Sequence, residues 1–175
     1  MNNVMIDIET LGTHPGSGIL AIAAVRFNVI TAEYDADNVF SASIGYENNS
    51  HMDIVQDTVA WWESQEAELY ERMFRPSDPM RLDDALGAFS SFIKPNDRVW
   101  GNSARFDLGI IEGAYRRNEM QIPWRYYNER DVRTLVALDD SVKRLMDFKG
   151  DKHDPVDDCI HQIRYCSEIF NRLRR

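Results

Sequence analysis

Val4-Met5-Ile6-Asp7-Ile8-Glu9-Thr10 is the stretch from which the rest of the chain can be read. It is a short apolar run with β-branched residues, broken by two acids, and its length and composition favour a strand over a helix. Side chains alternate across a strand, so Asp7 and Glu9 share one face while Ile6 and Ile8 turn the other way into a core. Two positions along a strand span about 7 Å, so both carboxylates can converge on one cation. Taken alone, the pair fits an edge strand with a solvated acidic face equally well, because short acid pairs are common.

Two later stretches separate these readings. Val99-Trp100-Gly101-Asn102 reads as a strand end, followed by a helix that Ser103 can cap. Its apolar positions, Phe106, Ile110, Ile111, Ala114 and Tyr115, recur at helical spacing. Asp107 falls in the first or second turn, beside the positive helix end, which favours an ionised carboxylate. His153-Asp154-Pro155-Val156-Asp157-Asp158 opens another helix, with Asp154 suited to the N-cap and Pro155 to the first helical position. Val156, Cys159, Ile160, Ile163, Cys166, Ile169, Phe170 and Leu173 form its apolar side. Asp158 in the first turn and His153 before the cap therefore stand together at one helix end. Asp157 reads as a capping-box partner or a solvent acid and is not assigned to a metal. Singly, Asp107 reads as a dipole-stabilising acid and His153 as a loop histidine. Jointly, the four carboxylates and the histidine form a set that can hold two divalent metals and activate a water, the chemistry of phosphodiester hydrolysis.

In this order the residues resemble the DEDDh subgroup of the DnaQ-like 3′→5′ exonucleases, which have an RNase H-like fold. Asp7 and Glu9 match the motif Asp-x-Glu, and Asn102 to Asp107 match Asn-x-x-x-Phe-Asp. His153 and Asp158 match His-x-Ala-x-x-Asp, with Pro155 where the family usually has alanine. Proline suits a first helical turn, so the helix is expected to survive, with room for a small shift of His153. The resemblance implies an α/β fold, a mixed β-sheet flanked by α-helices, and two Mg2+ or Mn2+ ions. It implies Asp7, Glu9 and Asp158 on the metal that carries the attacking water. Asp7 would bridge to a second metal, with Asp107 helping directly or through water, and His153 would be the general base. It also implies attack at the 3′ end with release of nucleoside 5′-monophosphates; the direction comes from the resemblance and not from spacing.

Thr58-Val59-Ala60-Trp61-Trp62 and Arg130-Asp131-Val132-Arg133-Thr134 are similar to segments of a small bacterial and phage branch. That branch includes RNase AS-like exoribonucleases and exonuclease VIII-like prophage proteins. It contains RNA- and DNA-directed members; the reading leans to RNA, with a DNA-directed enzyme as the alternative. A catalytically inactive nucleic-acid-binding module is the remote alternative, since such a protein would be expected to have lost carboxylates and all four are present. The implied partners are nucleic-acid 3′ ends, and the resemblance also allows a homodimer.

Expected substrate contacts are Thr10 and Leu11 after the first motif, and Trp61, Trp62 and Asn102. Adjacent tryptophans cannot share one helix face, so one is expected in the core and one free to stack on a base. Asn102 either bonds the substrate or stabilises its turn. Arg105 and Arg133 are read as solvated.

The bulk properties agree with this. A chain of 175 residues, 43% hydrophobic and 28% charged, is expected to fold as one domain over residues 1–175. No apolar run approaches a membrane-spanning length and no signal pattern opens the chain, so a cytoplasmic protein is expected; that it is bacterial or phage-encoded is what the branch resemblance implies. Cys159 and Cys166 lie too far apart along one helix to bridge and read as core residues. A net charge of −9 argues against a general nucleic-acid coating protein but not against a nuclease, whose bound cations reverse the local field. It implies a short footprint of a few 3′-terminal nucleotides.

The expected order is a strand at 3–9, a turn at Gly12-Thr13-His14-Pro15-Gly16, and strands at Ile19–Val29 and Val39–Ile44. Short helices follow at 55–75 and a longer one from Arg81 to Ile93. Then come a strand ending at Gly101, a helix at 104–117, a short strand near Tyr126, and a helix from Arg133. A polar loop at 147–153 leads to a last helix ending at Arg174-Arg175. With no tail for a polymerase, a stand-alone enzyme is expected rather than a proofreading subunit.

Overall fold

The computed structural model describes residues 1–174; Arg175, at the expected end of the last helix, lies outside them. Strands β1 (Asn3–Thr10), β2 (Ile19–Phe27) and β3 (Tyr34–Ser43) form an antiparallel meander. Helices α1 (Gln56–Glu63), α2 (Ala67–Phe74) and α3 (Leu82–Phe92) follow. Strand β4 (Arg98–Gly101) then pairs parallel to β1, and β5 (Glu129–Asp131) parallel to β4, with α4 (Ala104–Arg117) between them. Helices α5 (Val132–Val136), α6 (Asp140–Leu145) and α7 (Pro155–Arg172) complete the order. The mixed sheet has five strands in the order β3-β2-β1-β4-β5.

Strand alternation divides the core between the two faces of this sheet. Val4, Ile6 and Ile8 of β1 pack with Ile22 and Ala24 of β2 against α3 and α4, through Leu86, Phe89, Leu108 and Ile111. Met5 of β1 and Ala23, Val25 and Phe27 of β2 pack on the other face against Cys159, Ile163, Cys166 and Ile169 of α7. Asp7 and Glu9 continue the Met5 side of β1. The acids therefore face the helix that carries Asp158. A third apolar cluster, Leu11, Leu20, Ala21, Trp62, Met73 and Phe74, fixes α1 and α2 beside the end of β1. At the other end of the sheet, Arg26 and Asp97 form an ion pair at 2.8 Å with both side chains almost fully enclosed.

Several boundaries differ from expectation. β2 stops at Phe27 because Asn28 opens a turn, accepting the N–H of Ala32 on its carbonyl and that of Ile30 on its side chain. β3 begins at Tyr34; its first half is an exposed edge with no apolar alternation to reveal it. Near Tyr126 the chain makes a 3₁₀ turn, Tyr126–Asn128, and the strand comes just after it. The helix expected from Arg133 is short, and a separate α6 follows. Leu173, counted on the apolar side of α7, is 52% exposed beyond its end. Cys159 and Cys166 are buried free thiols. Among the described residues no helix is long and apolar enough to cross a membrane.

Candidate active site

The site forms where the C-terminal end of β1 meets the N-terminal turn of α7. One carboxylate oxygen each from Asp7, Glu9 and Asp158 lie within 4.8 Å of one another. Asp158 is brought there by the local sequence: Asp154 caps α7 by accepting the N–H groups of Val156 and Asp157, and Pro155 follows at the first turn. The residue before the cap, His153, has φ of 62°, a left-handed backbone rare for a non-glycine residue. This fold-back lets its N–H donate to Asp158 Oδ2 at 3.0 Å and puts Nδ1 at 3.5 Å from Glu9 Oε1. The histidine thus links two of the three acids. Asp157 does not serve as a box partner for the cap; it accepts the N–H of Asp151 at 2.8 Å and holds the preceding loop.

Asp107 stands beside this set, outside the three-oxygen cluster. It is buried, and its Oδ2 accepts the Asn102 N–H at 2.6 Å. Asn102 therefore stabilises the turn through its backbone, while its side-chain carbonyl is enclosed without a partner. Ser103 occupies the N-cap position of α4, but its hydroxyl caps nothing; the Ala104 N–H donates instead to Asp131 Oδ2 at 2.7 Å.

The electrostatics follow from crowding acids in a dry place. Burial, then repulsion from Asp107, Glu9 and Asp158, pushes the Asp7 carboxyl well above the usual range, against a hydrogen bond from Gln162. Burial raises Asp107 to about 7, opposed first by the Asn102 amide. Burial also raises Glu9 and Asp158, while His153 lowers both. The hydrogen bond to Glu9 raises His153 in return, against burial. Such a cluster favours a bound cation, and its all-oxygen donors suit a hard divalent ion.

A cleft of about 460 Å³ opens beside the histidine, lined by Glu9, Thr10, Thr58, Trp61, Phe106 and His153 among others. The two tryptophans divide as expected of neighbours on a helix. Trp62 is 1% exposed and donates its indole N–H to the Thr10 carbonyl at 2.9 Å, whereas Trp61 is 44% exposed. The Trp61 ring centroid lies 5.5 Å from that of His153 in an edge-on arrangement. The Thr10 hydroxyl is turned onto the Gly12 carbonyl at 2.7 Å. Leu11 corrects the sequence expectation: its side chain is fully buried in the cluster under α1 and α2 and offers no surface to a nucleotide. A residue that sequence reasoning missed is Gln162, whose amide donates to Asp7 Oδ1 at 2.7 Å. It lies one helical turn beyond Asp158, which places both on the same side of α7.

The sheet order is that of an RNase H-like fold, and the acidic cluster at the end of its central strand is a candidate cation site. The profile of the 3′-5′ exoribonuclease Rv2179c-like domain matches residues 2–170, and the chain belongs to that family. Three solved structures share the fold at low identity. Cell-death related nuclease 4 has a TM-score of 0.65 at 14% identity over 97% of this chain, which spans 64% of that protein's length. The nuclease domain of 3′hExo, a DEDDh family member bound to rAMP, has a TM-score of 0.63 at 12% identity, covering 97% of this chain and 92% of that one. S. pombe Pop2p, in a form with Mg2+ and Mn2+ bound, has a TM-score of 0.66 at 10% identity, covering 98% and 83%. A search of curated proteins finds no match.

Proposed function

We propose that the chain is a single catalytic domain that removes nucleoside 5′-monophosphates from the 3′ end of single-stranded RNA. Asp7, Glu9 and Asp158 would hold a divalent cation, and Asp107 with Asp7 a second one. The observation that carries this reading is the convergence of three half-buried carboxylates within 4.8 Å beside His153 at the wall of an open cleft. When bound, divalent cations activate a water and neutralise charge on the phosphate.

The remaining roles belong to the chain itself. His153 takes a proton from the attacking water at its Nε2 edge, while Nδ1 is steadied by Glu9. Its left-handed backbone ties the main chain of His153 to Asp158 through the N–H, so base and acids keep a fixed spacing. Gln162 orients the Asp7 carboxylate. The exposed face of Trp61 stacks the terminal base, and Trp62 holds the end of β1 through Thr10. RNA is favoured over DNA by the family to which the chain belongs, and 3′hExo was solved with rAMP. Exonuclease X, a structural relative with a TM-score of 0.56 at 16% identity, was solved with duplex DNA, so the sugar needs a direct test.

That test is product analysis on 5′-labelled RNA and DNA oligonucleotides of one sequence with Mn2+. Faster 3′ shortening of RNA, with 5′-monophosphates released, is expected. DNA shortened as fast or faster would replace the RNA reading with the DNA-directed one.

A further inference from the structure

We infer that Asp131, at the end of β5, is a positioning residue that sets the place of Asp107 by holding the first turn of α4. The inference rests on the proposed role of Asp107 in cation binding.

β5 is short, yet its last residue is in register with the last residue of β4: Asp131 pairs with Gly101. The ladder therefore delivers the Asp131 side chain to the β4–α4 turn, although the two segments are distant in sequence. Its carboxylate is divided between two helices. Oδ1 accepts the N–H and the hydroxyl of Thr134, at 2.7 and 2.8 Å, and caps α5. Oδ2 accepts the Ala104 N–H at 2.7 Å, at the first residue of α4. Capping α5 needs one oxygen only. The second accepts the N–H of the first residue of α4, at a helix start where the Ser103 hydroxyl caps nothing.

Asp107 lies in that same first turn, and its own Oδ2 is engaged with the Asn102 N–H. The turn is thus gripped by two carboxylates, from α4 itself and from β5. There is little slack between them. A Cβ added at Gly101 would stand 3.0 Å from both Cβ and Oδ2 of Asp107. A start of α4 released from Asp131 has to move Asp107 with it.

Two substitutions separate this role from ordinary capping of α5. Asp131→Ser keeps a good N-cap for α5 but is too short to reach Ala104 as well. Thr134→Val removes one α5 bond and leaves the Ala104 bond intact. The readouts are Mn2+ affinity by calorimetry and the split of kcat against KM on an RNA oligonucleotide. Asp131→Ser should weaken Mn2+ binding and lower kcat, each about tenfold, with KM little changed. Thr134→Val should lower Tm and leave both unchanged. In an Asp107→Asn background, Asp131→Ser should add no further loss of Mn2+ affinity.

Equal losses in both backgrounds, or wild-type Mn2+ affinity and kcat in Asp131→Ser, would overturn the inference. Should Asp131→Ser fail to fold, Asp131→Asn carries the same comparison. Its amide has one acceptor oxygen where the carboxylate has two, so it cannot serve both helices. If the wild-type protein degrades no nucleic acid, the proposed function fails, while the Mn2+ comparison still reads the link between Asp131 and Asp107.

Discussion

The Nδ1 of His153 lies 3.5 Å from Glu9 Oε1. The contact raises the histidine's pKa above its ordinary value, and the neutral ring needed for a general base accumulates only above that raised value. In the metal-free protein the His153 NMR titration should therefore have its midpoint on the alkaline side of an ordinary histidine. His153→Ala should lower kcat by about 10²–10⁴ while leaving Mn2+ affinity within a few-fold. In the metal-free protein, Glu9→Gln should move the His153 NMR titration to lower pH. An unchanged titration would remove Glu9 as its cause.

Four carboxyls in the site have raised pKa values when no cation is bound. A raised value means that the folded protein holds protons which the unfolded chain has already released. Stability from these groups is complete below the ordinary carboxylate range and is lost as pH rises through the folded values, up to about 7 for Asp107. His153, also raised, contributes with the same sign. Without metal, Tm should fall between about pH 5 and pH 8, and Asp7→Asn should raise Tm at the upper end. Saturating Mn2+ should stabilise most at that end, because a ligand that binds only the folded state adds to stability. Calorimetry with and without chelator reads all three effects.

Trp61 and Trp62 should respond in opposite ways. Trp62→Ala opens the cluster under α1 and frees the Thr10 carbonyl, and should cost about 3–5 kcal/mol in urea unfolding. Trp61→Ala removes a half-exposed ring, and should leave stability nearly unchanged while raising KM by about tenfold or more through lost base stacking. A Trp61→Ala enzyme with wild-type KM would show that the ring does not stack on the substrate.

The Arg26–Asp97 pair lies away from this chemistry and tests the scaffold. Asp97 also accepts the Lys94 N–H at 2.7 Å, and Arg26 donates to the Phe92 carbonyl. Asp97→Ala leaves a buried guanidinium without its counter-charge and should cost about 3–5 kcal/mol. Replacement of both partners by apolar residues should recover much of that loss, as urea unfolding can show.

The central strand and the acids were legible because local rules reach them. Alternation alone put Asp7 and Glu9 on one face of β1, and the Asp154-Pro155 start fixed where Asp158 would emerge on α7. The five-strand order was harder to read, and the first half of β3 left no trace, because an exposed edge strand needs no apolar pattern. Gln162 was overlooked although helical spacing alone places it beside Asp158; its partner Asp7 is 155 positions away. Asp131 was noticed only as part of a similar segment. What it does depends on the pairing of β5 with β4, which no local pattern announces. Leu11 was misread because adjacency to the acids says nothing about which way the chain turns after β1. Its backbone bonds to Gly18 and Val55 direct the side chain inward.

The most direct measurement is single-turnover hydrolysis of a 5′-labelled RNA oligonucleotide with Mn2+, by the wild-type protein and by Asp7→Asn. The account predicts a ladder shortening from the 3′ end in the wild type, abolished by chelator and by the substitution. Equal ladders from both proteins, or cleavage that persists without metal, would contradict it.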